Sequence, residues 1–163
     1  MELFTLKSIH SGFQTGVDTG AIIAANLLDI PTGGWACNGW CTEAGYAREW
    51  IESMGGKECI RPGYPARTEV NVRDSNATLI LSHERKLTGG TYQTLCVAEA
   101  LDRPWKQGLV HKNGRVELLD SSLELVPWLN LIECRVLNVA GPRDSKCPGI
   151  GDRVCRWLVE QLG

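Results

Sequence analysis

Short apolar runs alternate with glycine-rich turns and amphipathic segments along the sequence. The first run, FTLKSIH, leads into the turn SGFQTG and then into the segment VDTGAIIAANLLD. Apolar residues of that segment recur at the spacing of one helical face: Val17, Ala21, Ala24, Ala25 and Leu28. Pro31 is expected to end this helix, and PTGGW predicts a brief second strand.

The same alternation continues towards the other end of the chain. ATLILS is typical of a buried strand, and KQGLVHK and RVLNVA predict two more. Helices are predicted at EAGYAREWIESMGG, ARTEVNVRDS, YQTLCVAEALD, SSLELVPWLNLIE and DRVCRWLVEQL, with a kink or break at Pro127. Strands that alternate with helices favour a mainly parallel sheet covered on both faces. We predict a single Rossmann-like, doubly wound α/β domain over residues 1–163 with about five strands.

Composition narrows the class of protein. The chain has 163 residues and a formal net charge of −2, without the basic surplus typical of a nucleic-acid binder. Its longest apolar run, residues 21–28, is shorter than the ~20 residues of a membrane-spanning helix. The first residues, MELFTLKS, do not have the pattern of a signal peptide. We therefore expect a cytoplasmic protein that binds neither nucleic acid nor membrane.

The seven cysteines are odd in number and irregular in spacing, which favours free thiols over a disulfide framework. Cys37 and Cys41 form a C-x-x-x-C pair, and Cys59 and Cys147 also lie in loop-like sequence. Because no second close pair or nearby histidine accompanies them, we expect no structural metal site. The other cysteines stand in apolar or helical sequence and are expected in the core: Cys96, Cys134 and Cys155.

Three strand-to-helix turns carry the candidate chemistry: SGFQTG, LTGGT and AGPRDS. Turns of this kind share the carboxyl edge of a parallel sheet, where the following helix presents free N–H groups to an anion. The candidate residues are Gly12, Gln14, Thr15, Gly16 and Asp18 in the first turn, Thr88, Gly89, Gly90 and Thr91 in the second, and Gly141, Pro142, Arg143 and Ser145 in the third. Together they predict a site for a phosphate-bearing ligand.

Other interpretations of these residues stay open. Thr15 and Asp18 have the spacing of a capping box, although Asp18 could instead bind a ribose hydroxyl or a metal. The glycine pair of LTGGT could simply form a tight turn. Arg143 could form a surface ion pair with Asp144 or Asp152. Gln14 has no evident capping role, which favours a ligand contact.

Aromatic rings and histidines give weaker indications. Trp35 and Trp40 flank a glycine turn, so either could stack on a ligand ring or pack at the edge of the core. His10 ends the first strand and is the histidine expected nearest the site, with a structural role favoured. His83 and His111 are expected on the surface.

A catalytic set is difficult to assemble from these residues. The chain has no G-x-S-x-G elbow, no Ser–His–Asp spacing and no G-x-x-x-x-G-K-[ST] loop. Donors and hydroxyls predominate, which favours a binding protein. The alternatives are a hydrolase of nucleotide phosphates with Asp18 or Glu43 as its acid or base, and a nucleotide-sensing module whose ligand sets the oligomeric state.

Five motifs, in order, resemble those of the Putative molybdenum carrier family: SGFQTGVD, IPTGGW, RTEVNVRDSNATLIL, LTGGT and LNVAGPRDSKCPGI. The resemblance runs nearly end to end and places the chain with DNA-processing protein A and the cytokinin-activating phosphoribohydrolases. It implies a Rossmann-like fold, a homo-oligomer and a role in binding molybdenum cofactor or a nucleotide. By position it adds Arg67, Thr68 and Asn71 to the ligand site, and it leaves Arg73 and Asp74 as a structural ion pair.

The chain also departs from the pattern of these families. CNGW, residues 37–40, stands where the family often has a basic stretch, which removes two potential phosphate partners. TGGTYQTLC has the glycines of the phosphoribohydrolase motif but not its catalytic glutamate. We therefore expect a carrier of a phosphorylated pterin- or nucleotide-like ligand, plausibly molybdenum cofactor, with phosphate held by the three turns and by Arg143 and Arg67.

Overall fold

The computed structural model describes residues 6–119 and 122–163. Seven strands form one central sheet: β1 (Ser8–His10), β2 (Thr32–Ala36), β5 (Gly56–Glu58), β6 (Ala77–Ser82), β7 (Trp105–Val110), β8 (Val116–Leu118) and β9 (Val136–Ala140). Their order is β5-β2-β1-β9-β6-β7-β8, and only the β7–β8 pair is antiparallel. Two short strands, β3 (Cys41–Thr42) and β4 (Gly45–Tyr46), form a separate hairpin.

Within the described ranges, six α-helices lie around the sheet: α1 (Val17–Leu27), α2 (Arg48–Ser53), α3 (Tyr64–Arg73), α4 (Gly89–Ala100), α5 (Leu125–Leu131) and α6 (Ile150–Leu162). Helix α6 contacts both α1 and α5, whereas α3 packs against α4. In β6 the side chains of Leu79 and Leu81 join the main apolar core with α1, α5 and α6. Because successive strand residues point to opposite faces, Ile80 faces the other layer of helices.

The path of the chain places three turns side by side. From β1 the chain moves outward to β2 and β5, then crosses to β6 and moves outward in the other direction to β7 and β8. Strand β9 returns to the centre and lies between β1 and β6, parallel to both. The carboxyl ends of β1, β9 and β6 are therefore neighbours at the point where the strand order reverses, which is where ligands bind in open α/β sheets.

Two glycines let α1 and α6 approach closely. A side chain at Gly20 would clash with the carbonyl oxygen of Gly151, and one at Gly151 would meet the carbonyl of Gly16. This contact sets the start of α6, and therefore the loop that precedes it, against the start of α1.

The predicted α/β class and the mainly parallel sheet with helices are confirmed. The prediction of about five strands omits β5 and β8, each of three residues, because runs that short carry little periodic signal. The segment EAGYAREWIESMGG forms a helix only over α2, since Gly45 and Tyr46 belong to the hairpin.

The expected kink at Pro127 is wrong. Helix α5 begins at Leu125, so Pro127 lies in its first turn, where a backbone N–H has no intrahelical partner to lose. The expected core position of Cys96 is also wrong, since its side chain is exposed on α4. Phe4 and Thr5 of the predicted first strand, the residues that precede them, and Ser121 lie outside the described residues.

Candidate functional site

A cleft of about 500 Å³ opens at the carboxyl ends of β1, β9 and β6. Its lining combines the first turn after β1, the start of α3, the end of β6, the start of α4 and the loop after β9. The lining residues are Gly12, Gln14, Asp18, Tyr64, Arg67, Thr68, Asn71, Ser82, His83, Glu84, Thr88, Gly89, Gly90, Thr91, Thr94, Asn138, Ala140, Gly141, Pro142, Arg143 and Lys146.

Most of the candidate residues meet in this cleft. Four do not line it: Thr15, Gly16, Trp35 and Ser145. Thr15, Gly16 and Ser145 lie where the first and third turns contact each other. Trp35 lies in a separate shallow pocket with Cys59, Ile60 and Arg73.

The N–H groups of the first turn are largely used within the protein. Phe13 N donates to Ser11 Oγ at 3.1 Å, and Thr15 N donates to the side-chain carbonyl of Gln14 at 3.0 Å. Val17 N donates to the carbonyl of Pro142 at 3.2 Å. Phe13 itself has a φ of 59° and is buried against Trp50, which fixes this turn despite its left-handed backbone. The turn is thus a folded scaffold with few free donors.

The expected capping box is not formed. The N-cap of α1 is Gly16, and no side chain caps this helix. Thr15 Oγ1 instead donates to the carboxylate of Glu43 and accepts a hydrogen bond from Asp144 N at 3.1 Å. Thr15 therefore joins the first turn to the loop after β9.

Glu43, at the tip of the β3–β4 hairpin, completes that junction. Its Oε2 accepts a hydrogen bond from Ser145 N at 3.0 Å, and its own N–H donates to the side-chain carbonyl of Gln14 at 2.8 Å. Hydrogen bonds from Ser145 and Thr15 lower the pKa of Glu43 to about 2. Glu43 is therefore ionised at neutral pH and occupied by protein donors, which suits a structural role and not an acid in catalysis.

The start of α4 differs from the other two turns because its donors are free. Thr88, the N-cap, makes no side-chain capping hydrogen bond, and the first helical bond runs from Tyr92 N to Thr88 O. Over the part of the chain that the structure describes, no hydrogen bond engages the N–H groups of Gly89, Gly90 or Thr91. A Cβ at Gly90 would meet nothing within 4 Å, so packing does not require glycine there. Free N–H groups and the dipole at the start of a helix can together bind an anion.

Asp18 and Arg67 form an ion pair in the floor of the cleft. Arg67 Nη1 lies 3.5 Å from Asp18 Oδ2 and donates to the carbonyl of Gly12 at 2.9 Å. The guanidinium also lies over the ring of Tyr64. Asp18 is only 6% exposed, and burial raises its pKa to about 6, although Arg67 and N–H groups of Gln14 and Gly12 oppose that shift. Arg67 is thus tied to the protein, and Asp18 is a carboxyl that titrates near neutrality.

Arg143 is the better placed cation for a ligand. Its Nε lies 3.5 Å from Glu43 Oε1 and, although buried, has no hydrogen-bond partner. Glu43 is therefore the ion-pair partner of Arg143, in place of Asp144 or Asp152, the two alternatives that the sequence left open. The Arg143 side chain lines the cleft and is 41% exposed. Within the described residues Lys146, in the same loop, has no salt bridge.

Asn71 lines the cleft, but its amide pairs with the backbone of Trp35. Its Oδ1 accepts from Trp35 N at 2.8 Å, and its Nδ2 donates to Trp35 O at 2.9 Å. The Trp35 ring donates to Asp74 at 2.8 Å, and Asp74 also pairs with Arg73 as expected. Asn71 and Trp35 therefore join α3 to β2.

Sequence reasoning missed several lining residues. His83 was expected on the surface but lies at the end of β6 in the cleft, with Nδ1 buried and unpartnered. The rule that places strand ends at the ligand edge could have identified it. In contrast, His10 does not line the cleft, and its Nε2 lies 3.3 Å from Ser8 Oγ. Tyr64 and Lys146 carried no comparable signal, since each is an isolated polar residue outside the strands and helices predicted from the sequence.

Neither a metal cluster nor a membrane helix is found in the described part of the chain. Among residues 6–119 and 122–163, no group of three or more His, Cys, Asp or Glu side chains could hold a metal ion. None of the helices in those ranges has the length and apolar character needed to cross a bilayer. The seven cysteines are free thiols, with Cys37 and Cys59 buried at the ends of neighbouring strands.

The fold and the position of the cleft define a Rossmann-like α/β protein. Residues 9–162 match the model of the Circularly permutated YpsA SLOG family. The chain therefore belongs to that family. No curated protein matches the sequence.

A solved structure gives the same assignment. The crystal structure of the Putative molybdenum carrier protein from Syntrophus aciditrophicus SB has a TM-score of 0.84 to this chain at 33% sequence identity. The match covers 99% of this chain and 97% of the other. The family resemblance inferred from the five motifs is confirmed.

Proposed function

We propose that this protein binds and carries a phosphorylated small molecule in the cleft at the carboxyl ends of β1, β9 and β6. The observation that carries the proposal is the start of α4, which lines the cleft and has three N–H groups without protein partners among the described residues. A helix N-terminus of this kind stabilises a phosphate through hydrogen bonds and its dipole.

Two cations support the same ligand class. Arg143 and Lys146 line the same cleft as the start of α4, and they follow β9, the strand beside β6. Of the three turns expected to cradle the phosphate, the second supplies the free N–H groups and the third supplies charge. The first turn lines part of the cleft.

The ligand class we favour is a pterin- or nucleotide-like phosphate, plausibly molybdenum cofactor. The cleft volume of about 500 Å³ suits a ligand of that size. The related protein from Syntrophus aciditrophicus is named a molybdenum carrier, which supports the same cargo here. We further propose that the protein is cytoplasmic and forms a homo-oligomer. Light scattering with and without nucleotide would test the oligomeric state.

The experiment is direct. The purified protein is analysed for bound molybdenum by elemental analysis and for bound pterin by fluorescence after acid release. The same preparation is then titrated with nucleoside monophosphates in thermal-shift and calorimetric assays. Co-purified molybdenum and pterin, or stabilisation by a phosphorylated compound, supports the proposal. Absence of both would refute it.

A second candidate is a hydrolase of nucleotide phosphates with Asp18 as its acid or base. The observation in its favour is a buried carboxyl in the cleft whose pKa is raised to about 6, which suits proton transfer near neutral pH. Turnover of nucleotide to base or phosphate, abolished by Asp18→Asn, would favour this candidate. Binding without turnover would favour the carrier.

A further inference from the structure

Asp18 is unexpected in a cleft that receives an anion. Its carboxyl is ionised at neutral pH, since a group with a pKa of about 6 has lost its proton there in most molecules. Arg67 balances its charge, but an ionised carboxylate only accepts hydrogen bonds and offers no donor to a phosphate. The position of Asp18 therefore requires a reason other than phosphate binding.

The carboxylate has acceptor capacity left for a ligand. Asp18 Oδ2 accepts a hydrogen bond from Gln14 N at 3.1 Å and lies 3.5 Å from Arg67 Nη1, and Gly12 N also bonds to the carboxyl. A carboxylate offers about four acceptor sites, so these neighbours leave at least one. Asp18 lines the cleft, so its carboxyl is adjacent to a ligand that the cleft holds.

The strand order separates this acceptor from the phosphate site. Asp18 follows β1 and Gly90 follows β6, with β9 between those strands. Neighbouring strands lie about 4.8 Å apart, so the ends of β1 and β6 are about 10 Å apart across β9. One tetrahedral oxyanion cannot contact both ends, whereas an organic phosphate can place its phosphate at α4 and its body at Asp18.

We propose that Asp18 is a specificity-determining residue that accepts a hydrogen bond from an N–H or O–H donor of the ligand. This proposal rests on the proposed function and specifies its ligand class. The cargo is an organic phosphate that places a donor-bearing ring edge or sugar beside Asp18 when its phosphate lies at the start of α4. Bare oxyanions such as inorganic phosphate and molybdate lack that second group and bind weakly.

The test is a calorimetric titration with four probes: guanosine 5′-monophosphate, ribose 5-phosphate, inorganic phosphate and molybdate. Each is titrated into the wild-type protein, Asp18→Asn and Asp152→Asn. Asp152 is the matched control, because it is an aspartate in the first turn of α6 that does not line the cleft. Circular dichroism and thermal unfolding establish that each variant is folded.

The wild-type protein is expected to bind at least one organic phosphate roughly tenfold more tightly than either bare oxyanion. Asp18→Asn should remove most of this tenfold difference in affinity without weakening the binding of inorganic phosphate. Asp152→Asn should preserve the difference. Preference for guanosine monophosphate alone assigns the donor to the ring, and equal binding of ribose 5-phosphate assigns it to the sugar.

Two results would overturn the role of Asp18 while leaving the carrier proposal intact. One is wild-type protein that binds bare oxyanions as tightly as organic phosphates, and this comparison decides even if Asp18→Asn does not fold. The other is an Asp18→Asn protein that keeps the full difference in affinity between organic phosphates and bare oxyanions. If no phosphate binds to the wild-type protein, the proposed function fails as well.

Discussion

The carboxylate of Glu43 accepts a hydrogen bond from the backbone N–H of Ser145 at 3.0 Å, across 102 residues of sequence. This contact attaches the β3–β4 hairpin to the loop that carries Arg143. The same carboxylate accepts from Thr15 and lies 3.5 Å from Arg143 Nε. One exposed hairpin thereby holds two of the turns beside the cleft in place.

Replacement of Glu43 by glutamine is therefore expected to lower the midpoint of thermal unfolding at pH 7, since a neutral amide is a weaker acceptor than a carboxylate. Glu52→Gln is the control, because its partner Arg48 forms only an exposed i,i+4 pair. The pKa of Glu43 is depressed to about 2, so its stabilisation is present above its ordinary pKa and is lost as pH falls through 2. Equal midpoints for both variants would contradict this role.

Asp18 should affect stability with the opposite dependence on pH. Its pKa rises from 3.8 to about 6 on folding, so the folded state holds its proton more tightly and stability falls as pH rises from about 4 to 6. Asp18→Asn removes that dependence. The free energy of unfolding of the variant relative to wild type should therefore rise by about 2 kcal/mol between pH 4 and pH 7. Denaturant unfolding at the two pH values measures it, and a constant difference would refute the shift.

The anion site proposed at the start of α4 can be tested with two substitutions that differ in charge but hardly in size. Gly90→Asp places a carboxylate beside the free N–H groups and should weaken binding of guanosine monophosphate by about tenfold or more. Gly90→Asn has nearly the same size without the charge, and the space around Gly90 is open. Calorimetry should find the asparagine variant close to wild type. Equal losses in both variants would indicate steric exclusion instead of an anion site.

Arg143 is expected to contribute charge to the ligand. Arg143→Gln should weaken binding of guanosine monophosphate by about tenfold, because charge-assisted hydrogen bonds to phosphate are among the stronger ones. Arg153→Gln is the control, since Arg153 contacts Cys147 and Pro148 outside the cleft. The dissociation constants of the three proteins decide this. An affinity unchanged in Arg143→Gln would remove Arg143 from the site.

The contact between α1 and α6 should be intolerant of a single methyl group. Gly20→Ala places a Cβ against the backbone of Gly151 and is expected to destabilise the protein by about 1–3 kcal/mol. Gly90→Ala is the matched control, because a Cβ there meets nothing. Urea unfolding of both variants measures the difference. A Gly20→Ala protein as stable as the control would show that α1 and α6 can separate at little cost.

Local sequence determined the class of fold. Apolar runs such as ATLILS and the helical spacing from Val17 to Leu28 report burial directly, because strand and helix periodicities arise within a few residues. The glycine-rich turns were located for the same reason. The three-residue strands β5 and β8 were not, since their pairing depends on neighbours distant in the sequence.

Local sequence also indicated which turns meet at the ligand edge, but not what each turn contributes. The sequence predicts three similar turns with free N–H groups. In two of them, however, N–H groups donate hydrogen bonds to side chains of the protein: Asp18, Gln14, Thr15 and Glu43. The N–H groups of Gln14 and Thr15 bond within four residues, whereas those of Asp144 and Ser145 bond to acceptors 129 and 102 positions away in sequence. Whether a buried donor is free depends on which distant acceptor the folded chain brings to it, so only the tertiary structure could leave the α4 terminus open and place Asp18 opposite.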